Sequence, residues 1–221
     1  MAFLFIRFKD SKKEIQLLGY LYSNVAVRIK KHMTGIYEYW SLPSKLNIRC
    51  PACQANADFE FARLAKIQLK KDVEYFQHHA DFDYARFQDS CGGYWHAAFY
   101  YPNLSSSIDQ IQGLPEGYDS TSWSTCNSLQ SRGGVTCESC GYRQEHELSW
   151  PNDAYYMVMY RQQALWAFHR EAAIELYHYL SEALRDHKKY RYSFFLLHVP
   201  TVFKQKKARQ HVTQQLQKLL S

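Results

Sequence analysis

Residues 50–53 read Cys50-Pro51-Ala52-Cys53, and residues 137–140 read Cys137-Glu138-Ser139-Cys140. Two residues between a pair of cysteines let one tight turn offer two thiolates. Two such pairs fill the tetrahedral sphere that zinc prefers and leave no position for water. The spacing therefore predicts one structural Zn2+ held by Cys50, Cys53, Cys137 and Cys140. Gly141 follows the second pair and freely takes the positive φ at which a knuckle turns back; Gln54 stands at the matching place after the first. Residues 54–136 separate the pairs, 83 in all, where an uninterrupted ribbon has roughly 15–20. Loop-closure entropy rises only logarithmically with length, so an insertion over 54–136 costs a shared site little. The alternative is two pairs with separate purposes. CPAC alone would then suit a redox pair, a role that calls for a helix directly after it to lower the thiol pKa.

Outward from the first pair, residues 54–71 read QANADFEFARLAKIQLKK. Phe59, Phe61, Ala65, Ile67 and Leu69 fall mostly two apart, as in a strand, although Phe61, Leu64, Ala65 and Leu69 also match a helical face. The strand is the expectation, because a zinc knuckle leads into a hairpin. Tyr84 to Gln88 and Tyr94 to Tyr101 read as a pair of strands, with Trp95, Ala97, Phe99 and Tyr101 on one face and Pro102 as the stop. Residues 103–135 are rich in Ser, Thr, Gly and Asp and read as a long loop, either functional or mobile. Tyr118 and Trp123 within it require something to pack against.

In the last third, Asp153 to Tyr160 reads as a strand with Arg161-Gln162-Gln163 as its turn. A helix is expected from Leu165 to His187, with Ala173, Leu176, Tyr177, Leu180 and Leu184 on its apolar face. A final helix is expected from near Phe203 to Leu220, striped by Val212, Leu216, Leu219 and Leu220, with Pro200 and Thr201 as its start. Residues 1–32 read as an N-terminal arm or extension, and Met33 opens MTGIYEYW, a strand start. The fold class is thus α+β: a split zinc ribbon with an inserted, mostly β segment and C-terminal helices. One domain spans 33–221, with 153–221 its strand plus two helices.

The chain has 221 residues, 46% of them apolar and 16% aromatic, which is ample for a large core and excludes a disordered chain. Arg7 and Lys9 interrupt any signal-peptide core, and no apolar run reaches membrane-spanning length. A cytoplasmic protein is expected, in which six cysteines point to metal or redox chemistry rather than disulfides. Charge is segregated. Residues 1–50 carry nine Lys/Arg against three Asp/Glu (+6), residues 51–150 seven against thirteen (−6), and residues 151–221 eleven against five (+6). A basic face built from both ends would suit an anionic partner; oppositely charged segments packed beside one another would account for the same numbers.

Other polar clusters carry less. Cys91 and Cys126 lie outside any pair and are expected to be small buried side chains. His78-His79 with Asp81 and Asp83, or a second metal site drawing in His96, would suit a hydrolase, but four polar residues in a row more often form a solvated loop. No Gly-rich phosphate loop and no GxSxG elbow occur, so no catalytic residue is assigned. His169-Arg170-Glu171 sit at a helix start, where a structural role is expected and Glu171 favours the helix dipole.

The stretches Ile48 to Phe61 and Thr136 to Trp150 resemble uncharacterised bacterial proteins built on split CPxC-type (four-cysteine) zinc ribbons. The tail is similar too, with its strand, its LWAFHRE helix start at 165–171 and its basic final helix. The resemblance implies fold and metal, and no activity. Zinc ribbons offer rigid hairpins on which basic and aromatic side chains meet phosphates and bases, so DNA or RNA is the expected partner. Lys204, Lys206, Lys207 and Arg209 are the first contact group, placed where cations oppose the helix dipole and so do not serve helix stability. Arg28, Lys30 and Lys31 form a second group, and Lys188, Lys189 and Arg191 a third. The alternative is a protein-interaction scaffold with purely structural zinc, recruiting a partner through its acidic insertion. A metal-dependent hydrolase is a distant third.

Overall fold

The computed structural model describes residues 42–126 and 131–221. Residues 1–32, the strand start at Met33 and the basic group Arg28, Lys30 and Lys31 lie outside the described residues. Strand β1 (Lys45–Arg49) runs into the first cysteine turn and returns as β2 (Asn56–Phe61). After Ala62 comes β3 (Arg63–Ile67), then helix α1 (Val73–His78), then the hairpin β4 (Phe82–Gln88) and β5 (Tyr94–Tyr100). A short β6 (Ser124–Thr125) precedes β7 (Arg132–Thr136), the second cysteine turn and β8 (Arg143–Glu147). A second hairpin, β9 (Met157–Tyr160) and β10 (Gln163–Trp166), leads to α2 (Arg170–Ser181). The chain closes with α3 (Ser193–Leu197), α4 (Thr201–Lys204) and α5 (Lys206–Leu220). The described residues are therefore α+β, with antiparallel sheets throughout.

The segment after CPAC is extended, as its two-residue period requires, but it makes two strands rather than one. Strand β2 joins the sheet β1-β2-β7-β8, while β3 joins β4-β5-β3-β6. Ala62 is the crossing point, and its N–H donates to the Arg132 carbonyl at 3.0 Å. The chain thus leaves the first sheet beside the place where it re-enters as β7. Both β2 and β7 belong to the sheet that carries the cysteine turns, and the other sheet lies within Ala62 to Cys126.

Part of the expected loop 103–135 is strand β7. Composition hides it, because Gly133 and Gly134 have low strand propensity. Packing explains them: a Cβ at Gly133 would overlap the Phe59 ring and the Glu60 carbonyl, and one at Gly134 would overlap the Asn103 carboxamide. The rest of the loop is pinned where its aromatics demanded. Tyr118 and Trp123 are buried with Phe76, Phe82 and Tyr100. The Tyr118 hydroxyl accepts from the Gln68 N–H at 2.8 Å. On the opposite face of the hairpin, Ala97, Phe99 and Tyr101 are buried with Cys126, and Trp95 packs half-buried beside them, as the alternation in β5 predicts.

The C-terminal third departs from expectation at its strand, which begins at Met157 rather than Asp153, and at both of its helices. Leu165 and Trp166 lie in β10, not in a helix; Arg161 and Gln162 form the turn before it, both at positive φ (47° and 63°). The helix begins only at Arg170, where the His169 ring nitrogen accepts from the Ala172 N–H at 3.3 Å. It ends at Ser181, so Leu184 lies outside it and is 85% exposed. Extended backbone at Gln205 splits the last helical stretch between α4 and α5. Val212 and Leu216 are buried and Leu219 and Leu220 half-buried, as the stripe requires. These side chains share one large core with β1, β2, β9, β10, α2 and α3, and that core reaches Cys50 and Cys137.

Candidate metal centre

The two cysteine turns are built alike. In the first, the Cys50 N–H donates to the Ala55 carbonyl at 2.8 Å and the Gln54 N–H to the Cys50 carbonyl at 2.9 Å. In the second, the Cys137 N–H donates to the Tyr142 carbonyl and the Gly141 N–H to the Cys137 carbonyl, both at 2.9 Å. Gln54 (φ 63°) and Gly141 (φ 73°) both turn back through the left-handed region. Gln54 does so without glycine's freedom, and its side-chain amide donates to the Cys50 carbonyl at 3.2 Å.

Pairing of β2 with β7 brings the turns together. Asp58 lies opposite Thr136 and Phe59 opposite Val135, so Cys137 arrives beside the start of β2. All four sulfurs lie within 4.8 Å of one another. The cross-turn separations, Cys50 Sγ to Cys140 Sγ and Cys53 Sγ to Cys137 Sγ, are both 3.7 Å. A disulfide would be about 2.05 Å. A tetrahedron with metal–sulfur bonds of about 2.3 Å has edges of about 3.8 Å. The two cross-turn separations match such an edge, and the four sulfurs together can hold a metal ion. Cys50 and Cys137 are buried against the core, while Cys53 and Cys140 face outward.

Electrostatics favours the same conclusion. The Cys50 thiol is brought down to about 7: burial opposes this, but the amides of Cys53 and Ala52 and the neighbouring sulfurs outweigh it. Cys140 is pushed up to about 12, because the help of the Tyr142 amide is overcome by the Cys53 sulfur and by desolvation. The first proton leaves readily and the last resists. Four thiolates in this space require a cation among them.

Two polar anchors that give no signal in the sequence hold the sheet in place. Asn47 is buried; its amide donates to Asp58 Oδ1 at 2.7 Å and its Oδ1 accepts from the Arg170 N–H at 3.0 Å, tying β1 to the start of α2. The second anchor joins the two sheets. The buried Tyr101 hydroxyl lies 3.0 Å from Asp83 Oδ2 and 3.1 Å from Glu145 Oε2. Burial first, and then the facing Asp83 carboxylate, raises the Glu145 pKa. Arg132 Nη1 stands 4.0 Å from Asp83.

The remaining predicted clusters do not assemble. Among the described residues the four cysteines form the only group of three or more metal-ligating side chains. His78 Nδ1 bonds to the Glu74 carbonyl, His79 lies 3.6 Å from Asp81, and His96 meets the Tyr84 hydroxyl. The hydrolase expectation finds no site there. CPAC is followed by strand β2, so the helix that a redox pair needs is absent. Cys126 is buried, and burial pushes its thiol up to about 11. Cys91 is exposed in the β4–β5 turn, contrary to expectation, because that turn projects past the core.

Of the predicted cationic contacts, Lys206 and Lys207 are exposed at the start of α5. Lys204 and Arg209 turn toward the protein. Lys204 Nζ donates to the Leu197 carbonyl at 3.4 Å and stands 6.0 Å over the Tyr179 ring; burial, then the Arg185 charge, lowers its pKa. Arg209 Nη1 donates to the Glu182 carbonyl at 3.0 Å. Lys188, Lys189 and Arg191 are exposed. Among the described residues no helix is long and apolar enough to cross a membrane.

Comparison of the chain with protein-family models, with curated proteins and with solved structures gives no match. The class defined by fold and site is that of an α+β protein in which two distant CxxC turns meet in one closed, four-sulfur site.

Proposed function

We propose that the chain is a binding module, stabilised by one structural zinc, that presents its C-terminal basic surface to nucleic acid. The zinc half of this proposal is supported by the 3.7 Å sulfur spacings and by a ligand set that leaves no position for water or substrate.

The observation that carries the other half is the charge of residues 184–209. Arg185, Lys188, Lys189, Arg191, Lys204, Lys206, Lys207 and Arg209 stand there against one acid, Asp186. Among the described residues none of these eight cations forms an ion pair with a carboxylate. Three of them are linked in space: Arg209 holds the end of α2, Lys204 reaches the end of α3, and Arg185 acts on Lys204. The nearby carboxylates of Glu175 and Glu182 are engaged by the Arg191 and Tyr192 N–H groups and by the Tyr190 hydroxyl, so cations remain in excess, and a polyanion relieves their mutual repulsion while releasing its own counterions.

The test is a binding titration of zinc-assayed protein against a generic oligonucleotide at two salt concentrations. Binding that weakens steeply with salt, and one zinc per chain, are expected. No binding at low salt overturns the nucleic-acid proposal.

A further inference from the structure

The basic surface is not purely charged. The run 190–194 reads Tyr-Arg-Tyr-Ser-Phe and lies between the two groups of cations. Phe194 is 52% exposed on α3 and Leu197, three residues on, 47% exposed; Lys204 Nζ meets the Leu197 carbonyl beside them. The Phe194 ring stands 4.4 Å from that of His198, and the Arg191 guanidinium lies 5.6 Å from the centre of the half-buried Tyr192 ring. The run itself is held firmly. The Tyr190 hydroxyl donates to Glu182 at 2.9 Å, and the Arg191 and Tyr192 N–H groups donate to the Glu175 carboxylate at 3.2 and 2.8 Å.

A duplex keeps its bases stacked inside and offers phosphates outside, so it uses cations and leaves an exposed ring idle. A single strand offers both phosphates and open base faces, and it is held by cations interleaved with aromatic side chains. Phe194 sits on α3, which with five residues is too short to read a major groove, as is α4 with four; the fifteen-residue α5 brings only its first turn, Lys206 to Arg209, to this surface.

We infer that the anionic partner of the 184–209 surface is single-stranded nucleic acid, with bases stacking on Phe194 and phosphates meeting Arg191, Lys188, Lys189, Lys206 and Lys207. This inference rests on the nucleic-acid proposal above and narrows it to one strand form. Phe194 fixes where a base sits, and the cations set affinity without sequence preference.

The full zinc-loaded chain is titrated by fluorescence anisotropy with an oligothymidylate, with a duplex of equal length, and with anionic phospholipid vesicles as competitor. The parent should favour the single strand about tenfold or more over the duplex. Phe194→Ala should weaken single-strand binding about fivefold or more and leave the salt dependence unchanged, while Phe194→Tyr retains binding. The double change Lys206→Glu and Lys207→Glu should weaken both strand forms and flatten the salt dependence. Phe194 is half-exposed, so an unchanged melting curve will show that the alanine variant folds. If the lysine variant loses binding while Phe194→Ala does not, or if the parent binds both forms equally, the single-strand inference fails and the nucleic-acid proposal stands. If the parent binds vesicles and neither oligonucleotide, both fail.

Discussion

Gln54 and Gly141 occupy the same place in the two cysteine turns, and each donates its N–H to the carbonyl of the first cysteine of its pair at 2.9 Å. One position thus demands a left-handed backbone twice, and the sequence meets it once with glycine and once without. Nothing lies within 4 Å of a Cβ built at Gly141, so any penalty there comes from φ alone. Gly141→Ala should destabilise the zinc-loaded protein by about 1 kcal/mol. Gln54→Gly should change stability by less, about 0.5 kcal/mol in either direction, because relief of strain is offset by a freer unfolded chain and a lost amide bond. Urea midpoints at saturating zinc measure both; an alanine at 141 without cost would contradict the shared geometry.

Cys137 belongs to the four-sulfur cluster and also to the core, whereas Cys140 belongs to the cluster and faces solvent. Native mass spectrometry should find one zinc per chain, lost on treatment with a strong chelator along with most of the folding stability. Both Cys137→Ser and Cys140→Ser should lose the metal. Cys137→Ser should be the less stable of the two in the absence of zinc, since it alone places a hydroxyl in the core, at a cost of about 1–3 kcal/mol. Metal-free protein that melts like the parent would refute the structural role.

The link between the sheets should respond to pH. Tyr101 has one hydroxyl hydrogen and two carboxylates beside it, so an added proton on Glu145 relieves the repulsion from Asp83. The folded pKa of Glu145 is raised, so its contribution is complete below the ordinary glutamate value of about 4.3 and is lost as pH rises through the folded value. Glu145→Gln keeps the uncharged shape at all pH values. It should equal or exceed the parent in stability at about pH 7, with a shallower change between there and about pH 4.5. Denaturant midpoints for both proteins across that range decide the matter, and a destabilised glutamine variant at neutral pH would count against it.

Thiol chemistry separates the two cysteines outside the pairs. Cys91 is exposed, while Cys126 is buried and its thiol pushed up to about 11. The thiolate is the reactive form. In zinc-loaded native protein a maleimide should label Cys91 quickly, and Cys126 only after unfolding, as peptide mapping by mass spectrometry will show. Rapid labelling of Cys126 would mean that its pocket opens under native conditions.

The four-cysteine cluster was legible because its chemistry is written in spacing: two CxxC pairs single out four sulfurs whatever lies between them. Strands β4 and β5 were legible for a similar reason, since Trp95, Ala97, Phe99 and Tyr101 alternate without interruption. Strand β7 was not. Its Gly133 and Gly134 are dictated by Phe59 and Asn103, which lie 74 and 31 positions away in sequence, and no local pattern reports a neighbour that distant. Trp166 misled in the other direction, because the helical period seen from Leu165 onward belongs only to the part that His169 caps. Asn47 and Tyr101 carry tertiary hydrogen bonds, and a single polar residue in a strand gives no notice of its partner. The basic C-terminus was visible as charge, but which lysines face outward depended on the break at Gln205.

Phe61 lies opposite Gly133, and the Ala62 N–H donates to the Arg132 carbonyl, so the insert leaves and rejoins the four-cysteine sheet one strand spacing apart, with Tyr101 and Asn103 tying it back to Glu145 and Gly134. That makes the segment a cassette. A tight turn from Phe61 to Gly133 would close the four-cysteine sheet on itself, and any other domain with adjacent ends would fit the same socket without moving a sulfur. Variation among proteins of this architecture is then expected to collect at this one joint, as swaps of entire inserts rather than as gradual drift of the metal-bearing frame.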